Sequence, residues 1–148
     1  MKVFADKLID ITERHKDSIA KEWCKAVRTN PRTPTFHKLL PEECLTHALN
    51  FYTNLRKIYY SPKPYTEVRQ FFARYAEENY RDGIPLHETI YSMIMMRRHM
   101  WLYADFQVPF LTAIDHQQAV ETINKTIRIF DHGIYLVIQK YNELSKKQ

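Results

Sequence analysis

The chain contains only two glycines among its 148 residues, Gly83 and Gly133. Glycine supplies most of the positive-φ positions that tight β-hairpins need, so a β-rich fold with so few glycines is hard to build. Long helices joined by a few corners need almost none. The seven prolines mark places where such helices would end, because the residue before a proline is pushed out of the α region. The scarcity of glycine therefore predicts an all-α fold.

Apolar residues recur at steps of three and four along most of the chain, which is the spacing of one helix face. Five main helices follow from this pattern, at about 4–29, 41–60, 65–81, 86–106 and 113–144. Asp82 and Gly83 form a typical helix C-terminal signal, with Gly83 in the left-handed position. The long C-terminal helix exceeds what a compact domain of this size requires, and Gly133 offers a place for a bend. We expect one domain over residues 1–148.

Charge and cysteine usage limit the compartment and the partners. The net charge of +5 permits a nucleic-acid or membrane-surface partner, but basic residues alternate with acids along most of the chain. The nearest approach to a basic run contains Arg28, Arg32 and Lys38, and mixed solvated helix faces account for it better than a nucleic-acid groove. No stretch approaches the ~18 to 20 apolar residues that cross a bilayer, and charges come too early for a signal peptide. Cys24 and Cys44 form no CxxC motif, so we expect reduced core cysteines in a cytoplasmic protein, with no nucleic acid bound and no membrane insertion.

The sequence contains none of the motifs that typify catalytic or metal sites. There is no HExxH, no GxSxG and no glycine-rich phosphate loop. Glu43 and His47 form a lone pair at one-turn spacing, which falls short of a metal site. We therefore expect a protein that is not an enzyme, with no catalytic residues, no metal and no cofactor. A small helical enzyme in which Arg97 meets a carboxylate and a histidine stays open as an alternative.

The helix at 86–106 is the most informative about function. On a helical wheel its apolar arc consists of Leu86, Ile90, Met93, Ile94, Met100, Trp101 and Ala104. Arg97 falls in the middle of this arc, and Arg98 falls beside it, on the side shared by His87, Tyr91 and Asp105. An arginine on an apolar face must pair, snorkel or meet an anion, because an isolated buried charge is costly. The candidate ligand-binding residues are therefore Arg97, Arg98, His87, Tyr91 and Trp101.

Three partners for Arg97 stay open. The first is an internal ion pair, for which the candidate carboxylates are Glu77, Glu78 and Asp131. The second is the carboxylate or phosphate of a ligand, and the third is a partner chain. The methionines at 93, 95, 96 and 100 suit either plain core filling or a deformable, switchable interface. His99 lies off the apolar arc on the side of Ser92 and Glu88, so we expect it to be exposed.

Three segments of the chain resemble the RsbRD-type N-terminal domain, which precedes STAS domains in stressosome proteins and some sensor histidine kinases. The segments read WCKAVRTNPRTPTFHKL at 23–39, YAEENYRDGIPLHE at 75–88 and MRRHMW at 96–101. The likeness extends from the first helix to the last. Its most specific piece is the Gly-Ile-Pro-Leu corner, followed by a helix with paired arginines.

The resemblance implies a globin-like helical fold without haem, a homodimer, and a sensory input role in bacterial signal transduction. The last helix would lead to an output domain of the kinase or STAS type. Since no such domain appears before Gln148, we expect either a fragment of a longer protein or a chain that acts through a signalling partner. The resemblance names no ligand residues, and a small-molecule ligand stays open. The alternative is a globin-like protein that binds haem or a small cofactor, with His99 or His87 on the iron.

Overall fold

The computed structural model describes residues 4–60, 64–107 and 113–147. Within these ranges the chain is helical and contains no strand, which confirms the all-α prediction. Its α-helices are α1 (Phe4–Arg14), α2 (Lys16–Val27), α3 (Pro41–Thr53), α4 (Leu55–Tyr60), α5 (Pro64–Arg81), α6 (Leu86–Gln107) and α7 (Ala113–Lys146). The predicted long C-terminal helix is thus present. The proline corners at 61–63 and 108–112 lie outside the described residues.

The prediction of one helix over 4–29 and one over 41–60 was wrong, because each is broken in two. The first breaks at His15, whose backbone leaves the helical region at φ −113° and ψ 19°. The second breaks at Asn54, whose side-chain amide donates to the carbonyl oxygen of Asn50 at 2.7 Å. The apolar spacing continues across both breaks, so it does not reveal them. The break at His15 lets α1 contact α6 and α7 while α2 packs against α3.

The corner between α2 and α3 contains a short helix, although the sequence predicted none between residues 29 and 41. A 3-10 helix spans Pro34–Lys38. The Thr33 hydroxyl donates to the carbonyl oxygen of Val27 at 2.7 Å, and Arg28 Nε donates to that of Leu39 at 3.1 Å. These side-chain bonds satisfy backbone acceptors that a corner would otherwise leave to water. The corner is therefore a fixed part of the fold.

Gly83 takes the predicted left-handed position, with φ +76°. The amide of Ile84 donates to the carbonyl oxygen of Asn79 at 2.9 Å, and the amide of Gly83 donates to that of Tyr80 at 3.1 Å. This pair of bonds is the Schellman motif, which ends a helix at a residue with positive φ. It ends α5 and turns the chain into α6.

Aromatic rings from α3, α5 and α7 form the centre of the core. Phe51, Phe72 and Phe130 are fully buried, with ring centroids 5.2 to 6.1 Å apart. Gly133 lets α7 approach this cluster, because a Cβ built at that position would lie 2.5 Å from the Phe72 ring. The sequence suggested a bend at Gly133, whereas the tertiary contact shows that a close approach requires glycine there.

Helix α6 is buried on more than one face. Besides the methionines at 93, 95, 96 and 100, which are all buried as core filling, Glu88, Thr89 and Ser92 are at most 2% exposed. The single apolar arc drawn on the wheel was therefore too narrow. The helix packs against α1, α2, α5 and α7, so polar residues off the arc also face neighbouring helices.

Candidate functional site

The structure places four of the five predicted ligand-binding residues on two sides of α6. His87 and Arg98 are exposed and Tyr91 is half-buried, and their spacing places them on one face. Arg97 is half-buried and points elsewhere. Trp101 belongs to α6, but its side chain lies outside the described residues. The structure thus brings Tyr91 and Arg98 together and separates Arg97 from them.

A cluster of two arginines surrounds the hydroxyl of Tyr91. Arg32 Nη1 donates to this hydroxyl at 3.0 Å, and the Arg32 Cζ lies 5.4 Å from the centre of the Tyr91 ring. Hydrogen bonds from Arg32 and from Arg98 lower the pKa of Tyr91, because both stabilise the phenolate form. Arg32 was not among the predicted site residues, although it belongs to the basic run noted in the sequence. We call Arg32, Tyr91 and Arg98 the basic cluster.

Arg97 does not form the predicted ion pair with Glu77 or Glu78. Glu77 instead accepts from Lys140 at 2.9 Å, and Glu78 lies beside His47 and Arg74. No described carboxylate, Asp131 included, forms an ion pair with Arg97. Its guanidinium lies 5.9 Å from the centre of the Phe130 ring. A cation over an aromatic face keeps its charge at the edge of the core without an acidic partner.

A network of buried hydroxyls and amides joins α5, α6 and α7. Tyr75 and Ser92 share a bond of 2.6 Å, and Thr89 and Tyr141 share one of 2.8 Å. The Tyr141 hydroxyl donates to the carbonyl oxygen of Ile84 at 2.8 Å, so its bond with Thr89 uses its oxygen as the acceptor. Asn79 Nδ2 approaches the Thr89 hydroxyl at 3.3 Å, while its Oδ1 has no partner among the described residues. We call these five side chains, of Tyr75, Asn79, Thr89, Ser92 and Tyr141, the buried network.

The corner before α3 is fastened to α6 by a buried carboxylate. Glu88, 2% exposed, accepts from the backbone amide of Thr35 at 2.7 Å and from its hydroxyl at 2.6 Å. The sequence had placed Glu88 on an exposed side with His99, which was wrong for both residues. His99 is half-buried and its Nδ1 bonds the carbonyl oxygen of Met95 at 2.8 Å.

A polar groove of about 200 Å³ opens between α3–α4 and α5. His47, only 9% exposed, contacts Glu78 Oε2 through Nδ1 at 3.2 Å, and Arg74 Nε lies 3.6 Å from Glu78 Oε1. Burial lowers the pKa of His47 more than the neighbouring Glu78 raises it, so a neutral imidazole donates to the carboxylate. The sequence had paired His47 with Glu43, because only residues on the same helix can be matched by spacing.

Cys24 and Cys44 are both reduced and buried, as predicted for core cysteines. Cys24 lies within hydrogen-bonding reach of Cys44 and donates to the carbonyl oxygen of Pro41 at 3.4 Å. Burial raises the pKa of Cys44 to about 12. Both thiols are therefore held in the unreactive protonated form.

Comparison with protein-family models, with curated proteins and with solved structures finds no match for this chain. No catalytic family is therefore identified by similarity. The described residues contain no group of three or more histidine, cysteine or acidic side chains that could hold a metal ion. Among the helices of the described ranges, none combines the length and apolarity needed to cross a bilayer.

Proposed function

We propose that this chain is a non-enzymatic sensory or regulatory module that passes a signal through α7 to a signalling partner or output domain. The observation that carries the proposal is the connection of α7 to α5 and α6 through buried polar groups. Tyr141 of α7 is bonded to Thr89 in the first turn of α6 and to the carbonyl oxygen of Ile84, just before that helix. A movement of α6 would therefore displace Tyr141, near the C-terminal end of α7.

The geometry of α7 suits a transmitting element. Its 34 residues span about 51 Å at 1.5 Å per residue, and it packs against α1, α5 and α6. Beyond Tyr141 its side chains are mostly exposed, so the last turn continues past the packed part of the fold. A helix that is packed against the fold before Tyr141 and exposed after it can transmit a rotation or shift to whatever its C-terminal end contacts.

The buried network offers a second arrangement of its hydrogen bonds. Asn79 Oδ1 is buried without a described partner, and the hydroxyls of Tyr75 and Thr89 lie close by. A buried acceptor without a hydrogen bond costs about 1 to 3 kcal/mol. The binding energy of a ligand is therefore large enough to favour a second arrangement in which this acceptor is bonded. The buried methionines of α6 repack easily and would accommodate a small shift.

We further propose that the module is a homodimer. Val120, Ile127 and Ile138 lie on one line of α7 and are 37 to 55% exposed, with Tyr135 beside them at 62%. Such a stripe on a surface helix is typical of a helix–helix contact. Sedimentation analysis tests it: Ile127→Glu should give monomers, whereas Gln139→Glu on the polar side should not.

The resemblance of segments 23–39, 75–88 and 96–101 to the RsbRD-type domain supports this role. On the basis of this resemblance we also propose a globin-like fold, an output domain of the kinase or STAS type, and a cytoplasmic location. The all-α structure is compatible with each of them.

A chimeric kinase tests the proposed function. Residues 1–146, which end with the last residue of α7, are fused to a histidine kinase that lacks its own input domain, with insertions of zero to about four residues at the junction. We expect autophosphorylation to vary with insertion length in a helical period, since α7 transmits through its orientation. Tyr141→Phe should change the activity, whereas Gln139→Ala, on the exposed polar side of the same helix, should not. Equal activity in all fusions and both variants would contradict the proposal.

The haem-binding alternative has one observation in its favour. Because His99 Nδ1 faces the carbonyl oxygen of Met95 at 2.8 Å, it carries the proton, which leaves the lone pair on Nε2 for an iron. Haem addition tests it: a Soret band that shifts with added ligands and disappears in His99→Ala would favour this alternative over a haem-free sensor.

A further inference from the structure

We propose that the basic cluster is a binding site for a phosphate group, either inorganic phosphate or the phosphate of a small metabolite. The site consists of Arg32 from the corner before α3 and of Tyr91 and Arg98 from α6. A phosphate would thus be the ligand of the regulatory module. The effect of its binding on signalling rests on the proposed function.

The two guanidiniums of the basic cluster have no acidic partner among the described side chains. Elsewhere in the chain, exposed cations do find carboxylates: Arg56 contacts Asp10 and Glu13 at 2.7 Å each. Arg32 and Arg98 instead share a neutral hydroxyl. Two positive charges at one point, compensated only by a phenol, attract an anion from solution.

The acidic residue nearest to Tyr91 along α6 is already hydrogen-bonded to a different partner. Glu88, three residues before Tyr91, is buried and accepts two bonds from Thr35. It therefore fixes the corner that carries Arg32 without neutralising the guanidiniums. His87, exposed one turn before Tyr91, offers one more donor on the same face.

The basic cluster matches a phosphate better than a carboxylate in shape and charge. One carboxylate carries one charge and is satisfied by one guanidinium fork, whereas a phosphate carries nearly two charges and three terminal oxygens. Two forks and a phenolic donor match the phosphate in charge and in number of bonds. Both arginines are exposed, so the cluster does not enclose the rest of a ligand. Recognition would therefore be directed to the phosphate.

The basic cluster lies beside the buried network. Ser92, next to Tyr91, accepts from Trp23 Nε1 at 2.9 Å through its carbonyl oxygen and bonds Tyr75 through its hydroxyl. A phosphate held between Arg32 and Arg98 would draw the corner and α6 together at this point. Its binding energy would act on the helix whose Thr89 bonds Tyr141 of α7.

Isothermal titration with inorganic phosphate in low-salt buffer tests the site, with acetate at matched ionic strength as the comparison. We expect saturable phosphate binding that is stronger than acetate binding. Arg32→Ala and Arg98→Ala should each weaken it about tenfold, the cost of removing one charge-assisted contact. Arg98→Lys should restore it only in part, because lysine keeps the charge and loses the fork. Arg74→Ala, on an exposed arginine of α5, should leave it unchanged.

Three results would overturn the proposal: no saturable binding, equal affinity for acetate, or unchanged affinity in both alanine variants. Since both arginines are exposed, thermal unfolding should show the variants folded. The kinase fusion separates this proposal from the proposed function. Phosphate binding without any effect of Tyr141→Phe on the kinase contradicts the function alone. An effect of Tyr141→Phe without phosphate binding contradicts the phosphate site alone.

Discussion

The hydroxyl of Tyr141, near the end of α7, lies 2.8 Å from the hydroxyl of Thr89 on α6, although 52 residues separate them in the chain. Both side chains are buried, at 6% and 0% exposed. Because Tyr141 donates to the Ile84 carbonyl oxygen, Thr89 is the donor in this pair. The longest helix of the described chain is thus attached to α6 by a buried polar contact.

Replacing Tyr141 with phenylalanine tests this attachment. We expect Tyr141→Phe to lower the free energy of unfolding by about 1 to 3 kcal/mol, because the Ile84 carbonyl oxygen and Thr89 hydroxyl lose a buried partner. Urea unfolding measures the change. Tyr135→Phe removes the same atom from a 62% exposed side chain and should change it by less than about 0.5 kcal/mol. Equal effects of the two variants would show that the buried bond adds nothing.

The carboxylate of Glu88 should control the order of the corner at 30–38. In Glu88→Gln an NH2 group replaces one of the two carboxylate oxygens. One of the two bonds from Thr35 therefore loses its acceptor, and a donor is introduced in a buried position. We expect a loss of about 1 to 3 kcal/mol in stability and faster amide hydrogen exchange at 33–38. Glu42→Gln, on an exposed glutamate of α3, is the control. Unchanged exchange in the corner would mean that Glu88 does not hold it.

The close approach of Gly133 to Phe72 predicts an unusual sign for a helix substitution. Glycine to alanine inside a helix normally adds up to about 1 kcal/mol of stability. At Gly133 the new Cβ would lie 2.5 Å from the Phe72 ring, so we expect Gly133→Ala to lose about 1 to 3 kcal/mol. Chemical denaturation measures it. A stabilised variant would mean that α7 can move away from Phe72 at little cost.

The buried His47 makes stability depend on pH. Burial lowers the pKa of His47 in the native state, so the unfolded chain binds the proton more tightly than the folded one. The native state therefore loses stability as the pH falls from about 6.5 toward the lowered native pKa, and this site contributes no pH dependence above that window. His47→Gln should reduce the slope of unfolding free energy against pH in this window. Gln70→Ala, at an exposed residue of the same groove that does not titrate, should leave the slope unchanged.

Much of the fold follows from local patterns. The three- and four-residue apolar steps located α5, α6 and α7 to within two residues at each described end, and Asp82-Gly83 located the Schellman motif. The breaks at His15 and Asn54 were missed, because the apolar spacing runs on through both and the turn is imposed by what each half packs against.

The candidate site could be predicted only in part. Tyr91 and Arg98 were found together because they lie on the same helix, where spacing gives proximity. Arg32 was not assigned to them, since it comes from a corner 59 residues earlier than Tyr91. The helical wheel also predicted the wrong environment for Glu88 and His99. It assumes that a helix has one buried face, whereas α6 packs against other helices on several sides.

The sequence by itself determined that this chain is helical, where its longest helices lie, and where glycine must take a positive φ. These are consequences of backbone sterics and of periods within one helix. Only the tertiary structure decided which side chains meet across helices: Arg32 with Tyr91, Glu78 with His47, Tyr141 with Thr89, and the Phe72 ring against Gly133. Such contacts depend on how whole helices pack, which no single stretch of the chain encodes.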